Sequence, residues 1–515
     1  MFIFLIFAVA ALALLALFRW YRKNFEYWKH YPLMPSVRGR IFSGNLLDIL
    51  TFKTNFVFLM KDIYAETKFQ NEPLVGIYAL KPALLVRDPE LIKSILIRDF
   101  DCFSNRFSQS HAEDPIGNLS LFLSRYDIWK DQRSKLSPAF STGKMKLMYP
   151  LIQQVGENLE AYLHKQGDRF VCGFKELAYK YTIDTVSTTI FGFCSNSLEN
   201  PQEEMNLASR KLSSANFRRG INFLIMGFLP ELNKFLKPTF FYTESNEFVR
   251  RASDIAIEDR EKTGIKRNDL IDLFVKLKAE AVTKGVDMIE FRDTIAGQMA
   301  VFLGGGTDTS STTISNILLE LAKQPQIQDR LRQEIRTAFM EGNGSISYDT
   351  LTSMEYLKMV IDETLRIYPI FPLLERQYLD PKGTGKPYSL KPYSDFEIPH
   401  GMAVYISAFG LQYDPKYWPD PEKFDPERFS PENKQSMNPM IYLPFSSGPR
   451  NCIGARLGYL QVSACIVHVL KNHYVKVCPQ TDLNPDFNKT TFFLQTKGGI
   501  HLEVIRDYMC KQPMA

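Results

Sequence analysis

The 515-residue chain carries 62 basic against 57 acidic residues, a formal net charge of +5, with 45% hydrophobic and 23% charged residues. These proportions exclude an intrinsically disordered chain and a polytopic membrane protein, and the small net charge gives no basis for nucleic-acid binding. Seven cysteines (Cys102, Cys172, Cys194, Cys452, Cys465, Cys478 and Cys510) are odd in number and form no C-x-x-C pair, which suits a reducing compartment better than a disulfide framework.

The first element is the uninterrupted apolar run Phe2 to Phe18. At ~1.5 Å per residue a helix there covers about 26 Å of a ~30 Å hydrocarbon core. A cleaved secretory signal would carry its positive charge ahead of the run, whereas Arg19, Arg22, Lys23 and Lys29 follow it. An uncleaved anchor over residues 1–20 is therefore expected, with everything after it in the cytosol. Residues 21–45, with Pro32, Pro35, Gly39 and Gly44, read as a linker or hinge, and residues 46–515 as one catalytic domain without internal repeats.

Glu72 to Asp88 has short β-rich runs split by Gly76 and Pro82, which suggests a small sheet. From about Ile128 to Met340 apolar residues recur at helical spacing, as in "MYPLIQQVGENLEAYLHK" and "DIAIEDREKTGIKRNDLIDLFVKLKAEA". Strand-like runs return at "LLERQYL", "FEIPHGMAVYIS", "TTFFLQT" and "IHLEVI". Between Phe409 and Asn438 the density of Pro, Asp and aromatic residues cannot sustain a regular element. The expected class is mainly α with a smaller β part.

Just beyond that segment lies "PFSSGPRNCIGAR", Pro444 to Arg456, followed by the apolar helical run "ARLGYLQVSACIVHVLKN". Cys452 thus sits at a helix N-terminus, where unpaired N–H groups favour an anion, and Arg450 adds positive charge, so a thiolate is expected. Gly448 and Gly454 would let the backbone approach whatever the sulfur binds. A zinc cluster with Cys465, His468, His473 and Cys478 is disfavoured, because the spacing fits no common pattern and a core Cys or His is commoner. No His and Asn/Asp pairing suggests a cysteine protease.

The pattern Phe445-x-x-Gly448-x-Arg450-x-Cys452-x-Gly454 resembles the haem-thiolate loop of the cytochrome P450 family, with Ser446 where that family usually has Gly. Two further motifs follow the same order. "DETLR" places Glu363 and Arg366 at i, i+3 on one helix face, and "PERF" supplies Arg428, which together resemble the family's E-R-R network. Alone, such a pair would more often be a solvated ion pair. Gly305-Gly306-Thr307-Asp308-Thr309-Ser310 resembles the family's distal-helix pattern; its glycines weaken the helix and suggest a local opening. Oxygen activation needs protons, which the acid–alcohol pair Asp308 and Thr309 would deliver, while a Cys452 thiolate would push electron density to the iron.

The resemblance implies a triangular helical prism holding haem b (iron protoporphyrin IX), with Cys452 as axial ligand and Trp129, Arg133, Arg376 and Arg450 as partners for its propionates. It implies a monooxygenase that takes electrons from NADPH through a membrane-bound reductase, NADPH-cytochrome P450 reductase, with cytochrome b5 as an optional donor and Lys130 and Lys135 on the docking face. The chain looks most like the microsomal, endoplasmic-reticulum type and the insect detoxification forms, on "LSPAFSTGKMKLMYP" and "DPIGNLSLF". Aromatic and aliphatic residues around Asn105 to Phe122, "INFLIMGFLPELNKFL", "PIFPLLE" and the Phe492–Phe493 hairpin suggest a lipophilic substrate, whether a xenobiotic or an endogenous hormone or lipid. Two other classes fit the same fold: an isomerase or dehydratase that has lost oxygen activation, against which Asp308 and Thr309 argue, and a non-catalytic haem carrier or sensor.

Overall fold

The computed structural model describes residues 2–39, 43–51, 53–214, 216–488 and 493–507. Its axis is a 36-residue helix, Met288–Lys323, about 54 Å long at ~1.5 Å per residue. Asp287 caps its start by accepting from the Ile289 N–H, and nearly every residue from Ser310 to Ala322 is buried. That burial follows from its neighbours. Helix Phe174–Val186 runs along one side, helices Glu355–Ile367 and Ala455–Leu470 pack against the long helix elsewhere, and helix Thr142–Lys165 packs outside them on Phe174–Val186 and Ala455–Leu470. One hydrophobic core is continuous through all of them.

The β part lies to one side. Strands β1 (Leu74–Tyr78), β2 (Pro82–Val86), β4 (Leu373–Gln377) and β7 (Ala403–Ser407) form a sheet in the order β1-β2-β7-β4, with only the β2–β7 pair parallel. β3 (Arg169–Gly173), β8 (His473–Lys476) and β9 (His501–Arg506) form a second sheet, and β5 (Tyr388–Ser389) pairs β6 (Glu397–Ile398). The irregular segment ahead of Cys452 holds little beyond a 3-10 turn at Pro426–Phe429 and a short helix, Pro431–Ser436.

Three local expectations change. Gly76 does not split its strand; it sits inside β1, where the Trp28 ring packs so closely that an added Cβ would lie 2.6 Å from it. The Trp28 indole also donates to the Ile77 carbonyl at 3.0 Å, so the segment after the first helix (Phe2–Phe25) is docked on the sheet. The long run from Asp254 is two helices, Thr243–Thr263 and Leu270–Thr283. Gly264 ends the first in the left-handed region (φ 64°), and Asp269 caps the second. Within "TTFFLQT", Thr490, Thr491 and Phe492 lie outside the described residues, and the remainder pairs through a single bridge, Phe487–Thr496.

Among the described residues no helix is long and apolar enough to cross a membrane. Most side chains of the apolar run Phe2–Phe18 lie outside the described set.

Candidate functional site: a cysteine loop, a buried arginine cluster and an aromatic cavity

Cys452 is held by its backbone: its N–H donates to the Phe445 carbonyl at 3.0 Å, closing the loop that Ser446 (φ 61°) and Gly448 (φ 74°) turn. At Gly448 a Cβ would meet the Leu96 carbonyl oxygen at 1.8 Å, so the protein's own backbone, and not a ligand, requires glycine there. At Gly454 a Cβ would touch nothing nearer than the Cys452 Sγ at 4.0 Å. Ser446 occupies the left-handed region that glycine favours.

Burial pushes the Cys452 thiol up; the Gly454 N–H and the Arg133 charge oppose it. The sequence pointed to Arg450 as the cation beside the sulfur. The structure assigns that place to Arg133, which donates to the Asn451 carbonyl and to its Oδ1, both at 2.7 Å. Arg450 turns the other way. Although Cys452 retains accessible surface, burial dominates its thiol, so that surface belongs to an internal space. A thiolate there needs a cation stronger than Arg133 supplies, which a metal ion would provide.

Arg450 belongs to a second group. Its guanidinium stacks 4.6 Å over the Trp129 ring and donates to the Ser124 carbonyl at 2.8 Å, but its Nε and Nη1 have no hydrogen-bond partner. Arg376, at the end of β4, is equally buried with Nε and Nη2 unpartnered, and Arg106 leaves Nη1 so. Burial, then repulsion from Arg106, Arg376 and Arg125, lowers Arg450 to about 8. Burial and then Arg106 lower Arg376 to about 9. Glu375 is the carboxylate that opposes this for Arg106 and Arg376. Several buried guanidiniums with unused donors and one counter-charge cannot stand well alone; they fit a group bearing more than one carboxylate. The two propionates of a haem meet that demand. Arg106 and Arg125 were not legible in the sequence. Arg125 lies one turn ahead of Trp129, a spacing that gives a faint signal, while nothing marks Arg106 in its loop.

Below the loop, Glu363 and Arg366 are fully buried and paired through two bonds, Nε–Oε2 at 2.8 Å and Nη2–Oε1 at 2.9 Å. Arg428 Nε approaches Glu363 Oε1 at 3.5 Å, and the Asp425 N–H donates to the same oxygen at 2.9 Å. Burial raises the Glu363 carboxyl, against the pull of Arg366. Gln412, unmarked in the sequence, completes the network: it donates to the Leu365 and Arg366 carbonyls and accepts from the Leu443 N–H, each at 3.0 Å.

On the long helix the expected local opening is absent, for Met288–Lys323 is continuous through its glycines. The Thr309 hydroxyl donates back to the Gly305 carbonyl at 2.6 Å without breaking the helix. A Cβ on Gly305 would meet no neighbour, so the helix leaves open space there. Asp308 lies beside it and lines the cavity together with Arg219. Gln461 of the cysteine helix donates to the Gly306 carbonyl at 2.9 Å and to Ser310 Oγ at 2.5 Å, tying the helix that follows Cys452 to the one that carries Asp308 and Thr309.

The cavity next to Gly305 has a volume of about 160 Å³ and walls rich in phenylalanine: Phe122, Phe223, Phe228, Phe240, Phe371 and Phe493. "INFLIMGFL" forms most of helix Phe217–Phe228, and Phe223, Met226 and Phe228 from it line this cavity. Ile221 of this helix is exposed (38%), and more strongly exposed apolar residues follow it at Phe235 (79%) and Leu236 (55%).

The sequence model of the family described as Cytochrome P450 matches residues 35–504. Probable cytochrome P450 6v1 of Drosophila melanogaster is 39% identical over 502 residues, 95% of this chain and 96% of that protein. Cytochrome P450 6k1 of Blattella germanica is 37% identical over 504 residues, 95% of this chain and 94% of that protein. The chain belongs to the cytochrome P450 family of haem-dependent monooxygenases, and the relatives that carry this are insect proteins.

Proposed function

We propose that this protein is a membrane-anchored, microsomal monooxygenase that inserts one oxygen atom from O2 into lipophilic xenobiotics, with electrons passed from NADPH by a membrane reductase. The observation that carries the site assignment is the buried arginine cluster with its unused donors, set around the same loop as Cys452. It calls for haem b. When bound, haem supplies the iron at which dioxygen is activated.

The protein's own groups then divide the work. Cys452 Sγ would hold the haem iron. Arg376 and Arg450, with Arg106 and Arg125 in the same cluster, would hold the propionates, and Trp129 supports Arg450 from its ring face. Arg133 holds the loop at Asn451 and favours the thiolate. Asp308 passes protons inward and the Thr309 hydroxyl holds the last of them near the open space at Gly305. The phenylalanine walls bind apolar substrate and exclude bulk water, which suits a lipophilic, structurally varied substrate class.

The apolar run Phe2–Phe18, followed by four basic residues, anchors the chain in the endoplasmic-reticulum membrane with the catalytic body in the cytosol. Lys130 and Lys135 contribute to a reductase-docking face, tempered by the pairing of Lys135 with Asp131 at 2.6 Å.

The test is NADPH consumption in vesicles containing the purified reductase, measured with product formation. The wild type should couple the two. Thr309→Ala should keep substrate binding but lose about tenfold in product per NADPH, while Thr309→Ser should retain coupling. A fully coupled Thr309→Ala would remove the proton-delivery role.

A further inference from the structure

Asp362 precedes Glu363 on helix Glu355–Ile367 and is almost as buried, yet it takes no part in the Glu363–Arg366 pair. Successive residues on a helix point about 100° apart, so the two carboxylates face different segments. Glu363 faces the irregular segment at Asp425 and Arg428. Asp362 faces both flanks of the cysteine loop.

On the N-terminal flank, the Tyr442 hydroxyl donates to Asp362 Oδ1 at 3.1 Å and lies 3.0 Å from its carbonyl oxygen. On the C-terminal flank, Tyr459 of the cysteine helix donates to the same Oδ1. The other oxygen, Oδ2, pairs with Lys434 of the short helix Pro431–Ser436. One carboxylate therefore gathers the residue two before Pro444, the second turn of the helix after Cys452, and the short helix that precedes both. The Tyr459 ring also packs on Phe445 at 5.2 Å between centroids. Phe445 in turn supplies the carbonyl that accepts from the Cys452 N–H. The chain of contacts from Asp362 to the sulfur is two side chains long.

Hydrogen bonds to an ionised, buried acceptor are stronger than neutral ones, and a donor that loses such a partner is left unsatisfied. Burial and the nearby Asp362 charge both push the Tyr442 and Tyr459 hydroxyls far above their ordinary range, so both remain donors at any working pH.

We infer that Asp362, through Tyr459 and Tyr442, is a positioning residue that fixes the cysteine loop so that Cys452 Sγ keeps thiolate ligation. This inference rests on the proposed haem-thiolate role of Cys452. It separates two duties on one helix turn: Glu363 holds the irregular segment, and Asp362 holds the loop itself.

The test uses full-length, haem-loaded protein and reads the absorbance of the reduced, carbon-monoxide-bound form, together with haem content and the melting temperature. The wild type must first show the thiolate-type band; its absence would overturn the ligation itself and not the clamp. Tyr459→Phe keeps the ring on Phe445 and removes the bond, and Asp362→Asn keeps the shape and removes the charge. In both, with haem content retained, the thiolate-type band should decay to the neutral-thiol type about tenfold faster than in the wild type, and Tyr442→Phe should accelerate it less. Should Asp362→Asn fail to load haem, Tyr459→Phe decides alone. Decay at the wild-type rate in Tyr459→Phe, whether or not its melting temperature falls, would contradict the inference.

Discussion

The two sides of this molecule are built by opposite means. On the cysteine side, buried polar groups are tied to particular partners, with the unused donors gathered on Arg450 and Arg376: Glu363 binds Arg366 and Asp425, Gln412 binds three backbone groups, and Asp362 binds two tyrosines and a lysine. On the cavity side most of the wall is apolar and rich in phenylalanine, with Arg219, Asp308 and Glu375 among the polar residues that also line it. Directional bonds demand particular residues at particular spacings, whereas apolar contact demands only size and hydrophobicity. One side is therefore specified residue by residue, and the other by size and hydrophobicity.

The comparison can be broken first where the bonds are densest. Glu363→Gln takes the carboxylate away from the fully buried Arg366 and loosens the half-buried Arg428, and breaking one partner out of a buried pair costs about 3–5 kcal/mol. Denaturant unfolding of the full chain should show that loss, with little haem retained. A variant as stable as the wild type would mean that the network is ornamental.

The arginine cluster gives an effect of the next size, and one with a sign. Arg450 titrates at about 8 in the folded protein without haem, far below its ordinary value. The unfolded chain then binds more protons than the folded one between those values, so stability rises with pH above about 8 and the full burial penalty applies below it. Haem-free protein should thus become more stable as pH rises through 8. Haem-loaded protein, whose propionates keep the guanidiniums charged, should show no such rise. Arg450→Leu should remove the part of the rise that starts at about 8, leaving the smaller part that Arg376 contributes above about 9, and weaken haem retention. Identical pH–stability curves with and without haem would count against carboxylate capture by this cluster.

The smallest effect belongs to the cavity. Phe371→Ala should alter substrate affinity by about 1–3 kcal/mol and shift the site of oxidation, while leaving the carbon-monoxide band in place. A changed band would show that the two sides are not independent.

This division also explains what could be read before the fold was known. Cys452, Glu363, Arg366 and Arg428 are legible because their chemistry needs fixed residue types at fixed spacing, and the structure brings Glu363, Arg366 and Arg428 together. The thiol's nearest cation was misread, because neighbours in sequence need not be neighbours in space: Arg450 points to Trp129, and Arg133 reaches the loop from 318 residues away. Arg106, Gln412 and Asp362 left no signal, since a single polar residue in a loop or short helix looks the same whether solvated or buried. The mixed helix–sheet class followed from periodicity. The failures were local: Gly264 ends a helix by its left-handed backbone, and Gly76 continues a strand because Trp28 needs the space.

The most direct test of the central claim is the absorbance of the reduced, carbon-monoxide-bound protein in wild type and Cys452→Ser. Thiolate ligation predicts the thiolate-type band in the wild type and its complete loss in Cys452→Ser. An imidazole-type band in the wild type, or a thiolate-type band that survives the substitution, would contradict the assignment of Cys452 and the mechanism built on it.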